Sequence, residues 1–204
     1  MLEWFQINSE EIASWGIVIF AFIGAGPLVL QTVLVWLKKE EKGKSVSVIW
    51  FSYMFFLSVI TIIYAYNIGS TPIKVNGIVR TLAHIPLILG LWKRKGFSKT
   101  EKIVFILLFL FTIFAYFYPK KGIIFLIVSV GMALVTLRQP YEIYRNKSIG
   151  LVRVEIIILY IFGNAFWIFY AFASEKGGWV LQAVSLSACV SLFISLVVWI
   201  KYRR

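Results

Sequence analysis

The sequence contains no aspartate, one cysteine (Cys189) and one histidine (His84). A lone cysteine excludes an internal disulfide and a cysteine-based metal cluster. One histidine without aspartate leaves too few ligands for a metal or di-metal hydrolase, so no metal is expected. No glycine-lysine phosphate-binding motif is present, which removes nucleotide hydrolysis as an energy source. The last apolar segment, 178–200, has no lysine that could hold a covalent retinal. Charged residues make up only 15% of the chain, and the N-terminal stretch carries Glu3, Glu10 and Glu11 without a basic region, so a cleaved secretory signal is not expected.

What is abundant is apolar. Hydrophobic residues reach 60% and mean hydropathy is +0.86, more than one soluble core of this size requires. A bilayer is crossed by about 20 consecutive apolar residues. Such windows lie near 13–38, 46–67, 72–92, 98–118, 121–144, 151–173 and 178–200, which predicts an all-α integral membrane protein with seven transmembrane helices and only a short acidic segment before them. The net charge of +12 follows the two sides of a membrane and does not suggest nucleic acid. Lys38, Lys39, Lys42, Lys44, Lys93, Arg94, Lys95, Lys99, Lys102, Arg145, Lys147, Arg153, Lys201, Arg203 and Arg204 fall on one side; Lys74, Lys120, Lys121 and Lys176 mark the other. By the positive-inside rule the N-terminus lies outside and the C-terminus in the cytoplasm.

The chain also repeats itself. Gln31, Gly43, Tyr64-Ala65-Tyr66, Asn76 and Trp92 recur as Gln139, Gly150, Tyr170-Ala171-Phe172, Gln182 and Trp199, at intervals of 106 to 108 residues. Residues 13–92 and 121–200 are thus read as two triple-helix repeats, and 98–118 as a linker helix. Three crossings would invert the second copy, and one more restores its direction, giving two parallel bundles in a 3+1+3 order. Ile103 to Tyr118 is almost continuous Ile, Leu, Phe and Val, so the linker is expected to face lipid.

Polar residues inside these spans are the candidates for function. Asn76, Arg80 and His84 stand at i, i+4 and i+8 and share one helix face. An ionised arginine near a helix centre costs about 2.5 to 3.5 kcal/mol even on a lenient insertion scale, so that face looks toward a cavity or a partner. Glu155 is the carboxylate best placed to pair with Arg80. The alternatives are an Arg80-Glu155 bridge, an arginine reaching to the outer interface, a gate that includes His84, or contact between Arg80 and an anionic solute. Pro27 and Pro140, each near a glutamine (Gln31 and Gln139), interrupt helix hydrogen bonding and are candidate hinges, with Pro86 a weaker one. The glutamines are placed to bond backbone groups freed by a kink. Trp4, Trp15, Trp92, Trp179 and Trp199 lie near span ends as interface anchors. Ser187, Ser191 and Ser195 form a small-residue packing seam.

The run Arg138-Gln139-Pro140-Tyr141-Glu142-Ile143-Tyr144-Arg145-Asn146-Lys147-Ser148-Ile149-Gly150, with Pro27, Leu30-Gln31 and Gly43-Lys44-Ser45 in the first copy, resembles the PQ-loop proteins, including the SWEET sugar facilitators. The resemblance spans about residues 13–200, although both prolines are displaced from the family position. It implies a sugar path between the repeats, flanked by amides from the third and seventh helices, here Asn76 and Gln182. It also implies aromatic contacts from the second and sixth, here Thr61 in the first copy and Trp167 in the second, where Trp167 forms a tryptophan-x-x-tyrosine pattern with Tyr170. Asn164, three residues before Trp167, can present an amide beside that ring.

These readings converge on a facilitative transporter, a uniporter, for a small polar solute, a sugar first, moved by alternating access. An organic anion, amino acid or nucleoside-like vitamin carried by the same fold is the alternative in the same class, favoured by Arg80. A heptahelical cargo or peptide receptor, holding a terminal carboxylate on Arg80, is the alternative in another class. No nucleophile-base pair points to an enzyme, and no cofactor is implied. The expected partners are a small-molecule solute and the lipid bilayer, with a homo-oligomer suggested by analogy to oligomeric family members.

Overall fold

The computed structural model describes residues 2–37, 46–149, 152, 154–173 and 178–203. Among them the chain is all helical: α1 (Leu2–Leu37), α2 (Val48–Ile68), α3 (Thr71–Arg94), α4 (Lys99–Phe117), α5 (Lys121–Thr136), α6 (Arg138–Asn146), α7 (Val154–Ala173) and α8 (Gly178–Tyr202). Several helices are long and apolar enough to cross a membrane, which makes this an integral, multi-pass membrane protein. The loop glycines Gly43 and Gly150, together with Lys38, Lys39, Lys42, Lys44, Ser45, Arg153, Lys176 and Arg204, lie outside the described residues. The side chains of Trp4, Trp179 and Ser187 do too.

Helix ends follow local chemistry. Ser47 starts α2 by accepting the Trp50 N–H on its hydroxyl, and Gly69 ends it at φ 68°, a left-handed conformation that glycine adopts without strain. Pro72 sits in the first turn of α3, where its missing N–H is not needed. Ser98 and Glu101 form a reciprocal capping box at the start of α4. Within the apolar spans, Thr32, Ser58, Thr61, Thr112, Thr136 and Ser195 return their hydroxyls to the carbonyl four residues earlier, which satisfies those donors within their own helices.

Two expectations are revised. The acidic stretch before the first span is not a separate segment, because α1 continues back to Leu2. The fifth span, expected as one helix over 121–144, is one apolar stretch long enough to cross a membrane, Lys121–Asn146, but its helix is interrupted at Leu137, which keeps a right-handed backbone (φ −69°, ψ −14°) between α5 and α6. Pro140 has no N–H to offer the Thr136 carbonyl, and α5 ends at Thr136. Pro27, by contrast, lies within an unbroken α1.

The packing has a repeated pattern. α1 and α2 both lie along α3 and do not touch one another; α5 and α7 both lie along α8 and likewise remain apart, among the described residues. The halves meet most extensively where α1 crosses α7 and where α2 crosses α5, with a smaller contact of α2 on α6 and side-chain contacts from α3 to α7. Helix α4 leans on α2 and touches α5, with Phe105 and Phe111 half-buried, and Ala115 is its one buried residue among those described, so most of its surface is exposed. Trp15 and Trp92 are exposed in the manner of interface anchors, whereas Trp199 is partly buried and donates its indole N–H to the Val152 carbonyl at 3.1 Å. Ser191 and Ser195 are buried on α8.

Candidate functional site

A cavity lies at the α1–α7 crossing, closed on its third side by α3. Small residues of α1 (Ala21, Gly24, Ala25) form one wall, and α3 supplies Asn76, Arg80 and His84. From α7 come Tyr160, Gly163, Asn164 and Trp167, at i, i+3, i+4 and i+7, the spacing of one helix face.

Each polar side chain is held in place. Asn76 donates its amide to the Ile17 carbonyl of α1 at 3.0 Å, while its own Oδ1 is buried without a hydrogen-bond partner. The Arg80 guanidinium lies over the Tyr160 ring at 5.1 Å and brings Nη2 to 3.7 Å from the Met54 sulfur; its Nε is buried and unpartnered. Fully buried His84 places Nδ1 2.6 Å from the Arg80 carbonyl. A carbonyl only accepts, so Nδ1 carries the proton, and Nε2 of the neutral ring accepts the Tyr160 hydroxyl at 3.2 Å. Asn164 donates to the Tyr160 carbonyl at 2.7 Å, and Trp167 meets Tyr170 edge-on with ring centroids 6.3 Å apart.

The fold therefore brings Asn76, Arg80, His84, Asn164 and Trp167 together around one space. It does not bring the other expected residues there. Gln182 donates to the Ala171 carbonyl at 3.2 Å, and no described residue of α8 lines the cavity, so the two amides do not face one another across it. The physical reason is that α8 packs along α7 behind the lining face. Thr61 is buried and bonded to its own helix at Leu57. Glu155 lies in the first turn of α7 and is not paired with Arg80; the ion pairs among the described residues are Lys95–Glu101 and Arg138–Glu142. The α7 residue one turn farther along, Tyr160, occupies the space over the guanidinium instead.

Gln31 and Gln139 are both fully buried. Gln139 accepts the backbone N–H of Ser47 at 3.0 Å, so it ties the second half to the start of α2 across 92 residues of sequence. Pro27, Pro140 and both glutamines stand outside the cavity. Tyr160 is the central residue that the sequence reading missed. Its signal was available, because it shares the helix face of Asn164 and Trp167.

The cavity measures about 30 Å³, the share of one water molecule in the liquid. Pockets that take small organic molecules run to roughly 300 Å³ or more. This conformation accordingly leaves too little space between its polar groups for such a molecule.

A solved structure described as a eukaryotic SWEET transporter is similar to this chain, with a TM-score of 0.59 over 97% of this chain and 98% of that one, at 12% identity. No family model and no curated protein sequence matches the chain. At that identity the likeness establishes a common fold, one in which a transporter is built.

Proposed function

We propose that the protein is a facilitative transmembrane transporter, a uniporter, for a small polar solute, with alternating access between two repeats at 13–92 and 121–200 and a linker helix at 98–118. The observation that carries this reading is a polar cavity at a crossing between the halves, in a fold that resembles a transporter over nearly its whole length. A sugar is the first solute class, because Asn76 and Asn164 offer amide groups beside the aromatic faces of Trp167 and Tyr160.

In this reading the small cavity is that of an occluded state. Rocking of one half on the other opens it to either side, with the α5–α6 break at Pro140 as one hinge and Pro27 as the other. The N-terminus is outside and the C-terminus cytoplasmic. A second reading, an organic anion carried by the same route, is favoured by Arg80, whose charge has no carboxylate partner within 4.0 Å among the described residues.

Uptake into proteoliposomes tests the proposal. Glucose, sucrose, an amino acid, a carboxylate and a nucleoside are offered in labelled form to wild type and to Asn76→Ala. Saturable uptake of one of them, lost in the folded variant, is the expected result. Binding of peptides with no uptake of any solute would favour a receptor.

A further inference from the structure

Resting on the transport reading, we infer that the solute bears a carboxylate, which docks on Arg80, and a hydroxyl or ammonium donor one helical turn away, which docks on Asn76. A small hydroxy- or amino-carboxylate has that chemistry. The argument begins from charge. Arg80 lies nine residues into α3, about 14 Å along the helix from its start, close to the middle of a bilayer-spanning segment. Around it, α1 contributes no charged lining residue, α7 contributes tyrosine, asparagine and tryptophan, and no carboxylate lines the cavity among the described residues. The cavity therefore carries an uncompensated positive charge on Arg80, turned toward an aromatic face and a thioether.

Buried cations in membrane helices pair with an opposite charge or face a pathway. A neutral polyol offers Arg80 only dipoles, while a carboxylate brings the opposite charge and can accept from the planar guanidinium through both oxygens. The second feature fixes the rest of the ligand. Asn76 is 4% exposed, its donor is already committed to Ile17, and its Oδ1 is an acceptor with nothing to accept. It stands at i−4 from Arg80, so a donor-bearing carbon next to a carboxylate can reach both.

The test uses the full chain in proteoliposomes with labelled lactate, glutamate and glucose, together with thermal-shift binding in detergent. Wild type should take up lactate or glutamate saturably, a hundredfold excess of glucose should not compete, and Arg80→Gln should raise the half-saturation concentration at least tenfold. Asn76→Asp supplies an internal carboxylate one turn from Arg80, so it should abolish uptake of the anion while melting at or above the wild-type temperature. That variant keeps the test sound if Arg80→Gln fails to fold. Saturable glucose uptake that ignores both carboxylates and survives Asn76→Asp would overturn the anionic site and leave the transport reading standing. Carboxylate binding that depends on Arg80, with no uptake of any solute, would uphold the site and overturn transport. Neither binding nor uptake of a carboxylate would overturn the inference.

Discussion

The halves of the molecule meet at two main crossings, α1 on α7 and α2 on α5, and the same residue types serve opposite ends at them. Gly131 and Tyr160 stand 107 residues after Gly24 and Tyr53, within the range of the repeat interval. At α2–α5, the Tyr53 hydroxyl donates to the Val128 carbonyl, and Gly131 leaves room for the phenol where any Cβ would collide with it. Tyr64 stacks on Phe125 nearby, with centroids 4.4 Å apart. At α1–α7, Tyr160 and Gly24 line one cavity, but nothing lies within 4 Å of where a Gly24 Cβ would stand, and the Tyr160 hydroxyl turns to His84 on α3.

One crossing is zipped by a tyrosine bonded to backbone. The other is kept open because a histidine diverts the matching tyrosine. At the 106-residue interval that relates Asn76 to Gln182, α8 has Leu186 and Val190 where α3 has Arg80 and His84. Both are exposed, so Arg80 and His84 have no polar counterpart at that spacing. The polar lining is thus concentrated at the α1–α7 crossing.

The comparison can be broken at several points. The largest effect on the fold is expected from Gly16→Leu, because a Cβ at Gly16 already overlaps the Phe166 ring of α7; the side chain would wedge the α1–α7 crossing apart. Overpacking of this kind costs about 1 to 3 kcal/mol and occasionally more, read as a lower melting temperature of the purified protein. Gln139→Leu strands the buried Ser47 N–H and should cost about 1 to 3 kcal/mol in the same assay.

His84→Leu sharpens the contrast more directly. It frees the Tyr160 hydroxyl to seek a backbone acceptor on α1, as Tyr53 does on α5. Uptake should fall at least tenfold while the helical circular dichroism signal is unchanged. The smallest effect is expected from Tyr53→Phe, which loses one hydrogen bond worth about 1 kcal/mol. Its uptake should match wild type, because the α2–α5 seam lies outside the cavity.

Much of this architecture was legible in the sequence because membrane helices are set by length and polarity. The apolar windows match the helices closely, and the Ile, Leu and Phe composition of α4 goes with a mostly exposed helix. Spacing also put Asn76, Arg80 and His84 on one face, and that face does line the cavity. What periodicity cannot supply is the neighbour across the gap. Arg80 was matched with Glu155 on charge alone, but the guanidinium rests on Tyr160, a residue whose polar tip is hard to tell from an ordinary packing aromatic in sequence. Gln182 was matched with Asn76 by repeat position, yet side chains equivalent in two copies face one another only if both line the same space. The break at Thr136 was readable only in part, since Pro27 leaves α1 continuous and Pro140 does not leave α5 so.

The central claim is that solute passes the α1–α7 crossing and not the α2–α5 crossing. Paired uptake measurements on Asn164→Ala and Tyr53→Phe, each reconstituted at equal protein density, test it most directly. The account predicts at least a tenfold loss for Asn164→Ala and wild-type uptake for Tyr53→Phe. Wild-type uptake in Asn164→Ala with a loss in Tyr53→Phe would place the route at the other crossing and contradict it.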